Sequence, residues 1–288
     1  MNIYDCFMYY DEDLLLDIRL NVLNKYVKKF VITEATYTHN GNKKKLNFNI
    51  QNFSKFKDKI EYIIVDQQPP NIKKINDEDT AEISEEKFIL NGMARDYYQR
   101  ECIKEGLKDL DKEDLVIISD LDEIPNLENL KKDEIKNNII IFQQKMFYYK
   151  LNLLHQNFIW YGSKVSKKKH LISPQWLRNI KSKRYPLWRL DIIFSNTKYN
   201  DISFIKNGGW HFTNIKSPEK IDFKMKNFLH HLEYEESGLG VEDVKKIISE
   251  KKVFYDHGAD KKKQKWNASS LLIKESDTLL PKYIIENK

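Results

Sequence analysis

Residues 115–125 read Leu-Val-Ile-Ile-Ser-Asp-Leu-Asp-Glu-Ile-Pro, and this stretch indicates the fold more strongly than any other. Leu115 to Ile118 is an apolar run typical of a strand buried on both faces of a sheet. Asp120, Asp122 and Glu123 follow it directly. In an extended segment the two aspartates point the same way, so both could face a divalent cation that binds a diphosphate. The alternative is an ordinary acidic loop before a helix start.

Strand-like and helix-like segments alternate before this stretch. A helical pattern of apolar residues covers 15–26, and a second helix is predicted from Ser84 to Gly106. The strand-like runs are Ile3 to Tyr9, Lys29 to Ala35, Glu61 to Asp66 and Leu115 to Ile118. This order predicts an α/β fold with a mostly parallel sheet flanked by helices, which binds ligands at the carboxyl ends of its strands.

The chain changes character after Asn126. Ile139 to Leu151 is a long strand-like run, and the residues from there to Gly209 are rich in Trp, Tyr and basic side chains. Ser217-Pro218-Glu219 combines an N-cap residue, a proline for the first helical position and an acid for the first turn, so another helix is predicted there. We expect this half to be a C-terminal, substrate-facing extension.

Composition gives broad limits. Lys and Arg total 49 and Asp and Glu total 43, so the net charge of +6 is a mild bias in a 288-residue chain. The sequence contains no apolar stretch of the roughly 20 residues that a membrane-spanning helix needs. Its N-terminus also lacks the features of a signal peptide. We therefore expect a soluble, cytoplasmic protein, whose basic runs permit docking on a membrane surface.

Common catalytic signatures are missing from the sequence. The nine glycines form neither the dinucleotide-binding pattern nor the P-loop pattern. No histidine lies in a zinc-protease motif, and no serine lies in the nucleophile motif of the α/β-hydrolases. Any catalysis must therefore use other residues.

A second candidate feature is Gly208-Gly209-Trp210-His211-Phe212. The two glycines permit a close backbone approach, and one histidine lies between two large aromatic residues. A neutral imidazole is a common metal ligand, so His211 could join Asp120 and Asp122 around a cation. A histidine buried in the core for packing is the alternative.

The order of several blocks resembles glycosyltransferase family 17 over nearly the whole chain. These blocks are Asp5-Cys6-Phe7, Ile18-Arg19-Leu20, Phe30 to Glu34 with Thr38 and Gly41, Ile118 to Pro125, Gly209 to Phe212, and Pro281-Lys282-Tyr283. The resemblance implies a GT-A-like, metal-dependent, inverting transferase that uses UDP-GlcNAc. It implies one domain over 1–288, with 1–126 binding the nucleotide sugar and 127–288 forming the acceptor-side half with closing helices.

The resemblance and the motifs together suggest roles for individual residues. Asp120, Asp122 and His211 would hold Mn²⁺ or Mg²⁺ against the donor diphosphate, where the ion acts as a Lewis acid for the leaving group. The candidates for binding the nucleotide and its phosphates are Glu34, Arg95, Arg100 and Asp120. The acceptor would be a glycan carried on protein, lipid or polysaccharide.

An inverting displacement also needs a carboxylate that accepts the proton of the attacking hydroxyl. Asp191 is the first candidate and Glu219 the second, because both follow the acidic motif and flank His211 in the sequence. Glu123, the third carboxylate of the motif, completes the set. Trp188, just before Asp191, offers an apolar face for a sugar ring.

Three alternatives remain at the level of the sequence. The first is a nucleic-acid-binding protein that uses the basic runs Lys167 to His170, Arg178 to Arg184 and Lys261 to Lys265. The second is a metal-dependent phosphoesterase that uses the same carboxylates. The third is a transferase with another nucleotide-sugar donor.

Overall fold

The structure is a computed structural model that describes residues 1–131, 135–186, 188–227, 231–253, 255, 270–274 and 277–287. The basic run Lys261 to Lys265 lies outside these residues. The strands are β1 Ile3–Met8, β2 Lys29–Ala35, β3 Ile60–Val65, β4 Leu115–Ile118, β5 Glu123–Pro125, β6 Ile139–Tyr148, β7 Leu153–Lys167, β8 Ile202–Ile205, β9 Gly209–Thr213 and β10 Leu272–Lys274. The α-helices are α1 Asp13–Leu23, α2 Ala81–Glu101, α3 Pro174–Asn179, α4 Pro218–Asn227, α5 His231–Glu236, α6 Val241–Ser249 and α7 Lys282–Glu286.

The strands form one curled sheet in the order β3-β2-β1-β4-β7-β6-β9-β5, in which β10 also pairs with β7 and β8 with β6. Strands β1 to β4 run parallel to one another. The pairs β4/β7, β6/β7, β5/β9 and β7/β10 are antiparallel. The α/β class is confirmed, and the sheet is mixed rather than purely parallel: β6 also runs parallel to β8 and β9, whereas β7 is antiparallel to its neighbours β4 and β6.

Strands β1, β2 and β4 are buried on both faces, which explains their continuous apolar sequences, whereas the edge strand β3 is only partly buried. In β1, Phe7 packs into a core with α1, whereas Cys6 faces the opposite core with Ile103 and Leu107. The predicted strand Lys29 to Ala35 is confirmed residue for residue as β2. The carboxyl ends of these parallel strands therefore meet at one edge of the sheet.

Helix boundaries follow local capping. Helix α2 begins earlier than the predicted Ser84 because the Thr80 side chain accepts a hydrogen bond from the Ile83 amide and caps the helix. The helix predicted after Ser217 is confirmed as α4. Among the described residues, no helix combines the length and apolar character that crossing a membrane requires.

Gly209 begins β9 with a backbone φ of +127°, which only glycine adopts without strain. A Cβ at this position would lie 2.2 Å from the Ile124 carbonyl oxygen of β5. The sharp entry into β9 therefore requires glycine, and it sets where the following Trp210 and His211 lie.

We predict that Gly209→Ala lowers the free energy of unfolding by about 2 kcal/mol or more, because it adds backbone strain and a clash with β5. Urea denaturation measures the change. Gly240→Ala is the matched control, because a Cβ there meets only the Asp243 carboxylate at 3.9 Å. Equal stabilities of the two variants would contradict this account of the β5–β9 pairing.

Candidate functional site

A buried ion pair between β1 and α1 holds residues 119–123, which we call the acidic loop, from the protein interior. Arg19 donates to both oxygens of Asp5 at 2.6 and 2.7 Å, and both side chains are fully buried. The same guanidinium donates to the Ser119 hydroxyl at 2.6 Å. Its remaining acceptors are the carbonyl oxygens of Asp120 (3.0 Å), Leu121 (3.1 Å) and Glu123 (2.8 Å). One arginine thus shapes the loop backbone.

Glu123 points into the protein and holds the loop from the other side. Its carboxylate accepts hydrogen bonds from the Asp120 amide at 2.9 Å and the Trp160 indole at 2.6 Å. Arg178 of α3 donates two further bonds at 2.8 and 2.9 Å. Both oxygens of this buried carboxylate are therefore occupied by protein donors.

Asp120 lies between two arginines at the surface of the site. Arg178 donates to one of its oxygens at 2.5 Å and Arg100 to the other at 3.3 Å. Burial would raise the pKa of Asp120, but Arg178 and Arg100 outweigh it and lower the pKa. Arg100 also binds Asp96, which lies 3.8 Å from His39 Nε2. Alternating charges therefore connect α2, the acidic loop and α3.

Asp122 meets His211, which β9 brings to the loop. Strand β9 pairs with β5 so that His211 lies opposite Glu123, and His211 Nε2 is 3.4 Å from Asp122 Oδ2. Burial would lower the pKa of His211, but Asp122 outweighs it and the pKa is raised. For Asp122, His211 overcomes the opposite effect of burial and holds the pKa at about 2. The Trp160 ring stacks on the imidazole at 4.7 Å.

The Asp122–His211 pair has the chemistry of part of a metal site. The two groups are close enough to bind one cation together, and the Asp122 side chain is 21% exposed. His211 Nδ1 is buried and has no hydrogen-bond partner within the described part of the chain, whereas Nε2 faces Asp122 and could bind a cation as a neutral imidazole. The described residues contain no cluster of three or more His, Cys, Asp or Glu that could hold a metal. Phosphate and water oxygens would have to complete the shell.

The nucleotide-binding candidates lie near the same sheet edge in different settings. Glu34 is buried and anchors the segment after β2, accepting from Lys44, the amides of Asn47 (2.8 Å) and Phe48 (3.0 Å), and the Tyr62 hydroxyl (2.8 Å). In this structure, these protein donors occupy its carboxylate.

Arg95 fastens the loop after β2 to α2. It donates to the Gln68 side chain at 2.8 Å and to the His39 carbonyl oxygen at 2.9 Å. Its guanidinium lies against Gly41, where a Cβ would be 2.6 Å from it. His39 therefore links the two arginines: Arg95 donates to its carbonyl oxygen, and its imidazole faces Asp96, which binds Arg100.

The remaining two candidates are more exposed. Asp191 accepts from Arg189 at 2.7 and 2.8 Å and from Lys198 at 2.7 Å, and these partners lower its pKa to about 2. Glu219, in the first turn of α4, is 58% exposed and lies 3.5 Å from Lys245. Hydrogen bonds from its own amide and from Ser217 lower its pKa. Neither carboxylate has the raised pKa typical of a general base.

Sequence reasoning missed Asp5, Arg19, Trp160 and Arg178 as residues that build this site. Arg19 carried a usable signal, because it is a charged residue within the apolar face of α1. Arg178 lies in a helix announced by Ser173-Pro174, where Ser173 caps α3. Nothing local indicated that its side chain would reach the acidic loop.

Three basic side chains of the runs that suggested nucleic-acid binding are paired within the protein. Lys167 and Lys169 both bind Glu113, at 2.8 and 2.5 Å. Arg178 is committed to Asp120 and Glu123. These three side chains are therefore not free to bind the phosphates of a nucleic acid.

Comparison with known proteins identifies the kind of enzyme. The model of a family described as Glycosyltransferase family 17 matches residues 1–288, the whole length of the sequence. No curated protein matches the chain. The family match includes the acidic loop and β9.

We predict that Arg19→Met lowers the free energy of unfolding by about 3 to 5 kcal/mol, because it leaves the Asp5 charge buried without a partner. Chemical denaturation checks this value. Lys25→Met is the matched control, since it removes an exposed pair with Glu128 that should contribute about 1 kcal/mol or less. The double variant Asp5→Leu/Arg19→Met tests the contact itself. If its loss of unfolding free energy equals the sum of the losses in the two single variants, the two side chains do not stabilise each other and the pair is not the organising contact.

We predict that the Asp122–His211 pair stabilises the metal-free protein more at pH 6 than at pH 9. A raised pKa of His211 in the folded state gives stability that is complete below the unfolded value of about 6.5 and is lost as pH rises through the folded value. The test is the difference in unfolding free energy between wild type and His211→Gln, with EDTA, across this range. His170→Gln is the control, and a difference independent of pH would contradict the prediction.

Proposed function

This chain belongs to glycosyltransferase family 17, and from that premise we propose that it transfers N-acetylglucosamine from UDP-GlcNAc to a glycan acceptor. We further propose a metal-assisted, inverting displacement in a GT-A-like fold. In this proposal, residues 1–126 bind the nucleotide sugar and 127–288 form the acceptor side of one domain. A different nucleotide-sugar donor is the alternative within the same family.

The observation that carries the proposal is the Asp122–His211 pair on a loop whose backbone Arg19 holds rigid. The loop follows β4 at the carboxyl edge of four parallel strands, where α/β sheets bind nucleotides. Because protein contacts hold the loop and the pair in place, little reorganisation is needed when the donor binds. Charged groups that are already in position stabilise the charge that develops on a departing phosphate group.

Mn²⁺ or Mg²⁺ held by Asp122 and His211 would supply the positive charge that stabilises the departing diphosphate. Asp120 is proposed as a further ligand or as the residue that orients Arg100 and Arg178, which already bind it. Those arginines place positive charge beside the same loop, where it favours phosphate oxygens.

For the base we propose Glu219 ahead of Asp191, in a reversal of the order that the sequence suggested. Two cations hold the Asp191 carboxylate at low pKa, whereas Glu219 has one lysine at 3.5 Å. Lys224, in the same helix as Glu219, also helps to lower the pKa of Asp122, after the larger effect of His211. Glu123 is proposed to position the loop, since its oxygens already accept protein hydrogen bonds.

We predict that UDP raises the melting temperature by a few degrees in Mn²⁺ and has little effect in EDTA, because aspartates and diphosphate repel each other without the cation. Thermal-shift measurement with UDP, UDP-GlcNAc and other nucleotide sugars also identifies the donor. Asp122→Asn should lose the Mn²⁺-dependent shift and lower turnover by about 100-fold or more.

Asp58→Asn is the control for this experiment, since Asp58 is an exposed carboxylate in a surface helical segment. It should keep both the shift and the turnover. Equal stabilisation by UDP in EDTA and in Mn²⁺ would refute the proposed metal bridge. A shift that survives Asp122→Asn would move the cation to other residues.

A further inference from the structure

A short loop on the acceptor half exposes four large apolar side chains within seven residues. They are Trp188 (78% exposed), Leu190 (72%), Ile193 (75%) and Phe194 (88%), which we call the apolar loop. Single exposed apolar residues are ordinary in soluble proteins, but clusters of them mark interaction surfaces. This exposure therefore needs a partner.

The apolar loop is an ordered turn whose backbone hydrogen bonds are largely internal. The Ile192 amide donates to the Arg189 carbonyl oxygen at 3.2 Å, and the Ile193 amide donates to that of Leu190 at 3.1 Å. The Ser195 amide closes the turn on the Ile192 carbonyl oxygen at 3.1 Å. The amide groups of such a turn already have hydrogen-bond acceptors within the turn. Moving the turn out of water therefore costs less free energy than moving an open loop.

The surroundings of the apolar loop are basic. Residues 181–198 contain five basic side chains and one acidic side chain, Asp191. The basic residues are Lys181, Lys183, Arg184, Arg189 and Lys198. Asp191 pairs with both Arg189 and Lys198, and five basic residues against one acidic residue give this segment a net charge of +4.

We propose that the apolar loop is a membrane-contact site that inserts its side chains into the interface of an anionic lipid bilayer. Aromatic and aliphatic side chains enter the region between headgroups and acyl chains, and flanking lysines and arginines bind the anionic headgroups. The loop would hold the enzyme at the bilayer surface.

Two other partners fit these observations less well. A sugar-binding platform uses aromatic faces beside hydrogen-bonding groups, whereas Leu190 and Ile193 add aliphatic surface that a polar sugar does not need. A second copy of the chain would bring the same positive charge against this surface, and like charges oppose such contact. An anionic bilayer complements both the apolar and the basic character.

The test is cosedimentation of the full chain with lipid vesicles. We expect binding to vesicles of about three parts phosphatidylcholine to one part phosphatidylglycerol and much weaker binding to phosphatidylcholine alone. Raising the salt concentration should weaken the binding, because it screens the basic residues. Trp188→Ser/Phe194→Ser should reduce the partition coefficient by about tenfold or more, because it removes the inserted apolar surface.

Matched variants distinguish binding through this surface from nonspecific adsorption of the protein to vesicles. Leu14→Ser/Phe223→Ser replaces exposed apolar residues on α1 and α4 and should bind like wild type. Lys181→Gln/Lys183→Gln should weaken binding by about fivefold for each lysine removed. Lys57→Gln/Lys104→Gln changes the net charge equally on other exposed segments and should have little effect. Circular dichroism verifies that every variant is folded.

Three results would overturn the proposal. The first is equal binding of wild type and Trp188→Ser/Phe194→Ser to the anionic vesicles. The second is a dimer, detected by analytical ultracentrifugation, that the same variant abolishes while vesicles bind neither protein. The third is binding of soluble glycans through Trp188 without vesicle binding. None of these results depends on the donor or the metal, so the outcome is independent of the proposed reaction.

Discussion

The buried contact between Asp5 and Arg19 is the interaction on which the site depends. Taking two charges out of water is costly, and the cost is offset here because the guanidinium is fully hydrogen-bonded. Its donors connect β1 and α1 to the loop that follows β4. The loop backbone is therefore fixed from inside the protein, while the side chains of Asp120 and Asp122 lie partly exposed, paired with Arg178 and His211.

A second layer of charge sets the electrostatic character of that surface. Arg100 and Arg178 flank Asp120, while Asp122 is paired with His211, so each acid of the loop has a cationic or protonatable neighbour. Lys164 extends this layer by donating to the carbonyl oxygens of Arg178 (2.5 Å) and Ile180 (2.6 Å) at the end of α3. Burial, assisted by Arg178, lowers the pKa of Lys164 to about 7. These contacts fix the end of α3, and with it Arg178, against the acidic loop.

The two halves of the sheet contribute different residues to the site. The parallel strands β1 to β4 carry the acidic loop at their carboxyl edge, and the antiparallel partner β7 supplies Trp160 and Lys164 from behind it. Strand β9 then adds His211 from the C-terminal half. In the proposed reaction, a site assembled at this junction would give donor and acceptor different protein surfaces, and the apolar loop would give the acceptor side a further one.

Local sequence alone determined β2, β4, the helix α4 and the position of the acidic motif, because continuous apolar runs and capping residues act over a few neighbours. It also indicated His211 as a partner of Asp122. It did not reveal β7, nor that Arg19 and Arg178 would hold the loop, and it gave Asp191 a role that its ion pairs do not favour. Those features come from contacts between residues that are distant in the chain: Arg19 reaches carbonyl groups more than 100 positions away, and Arg178 reaches Asp120 across 58. Only the tertiary structure decides such contacts, because they depend on how strands are paired and on which charges become buried together.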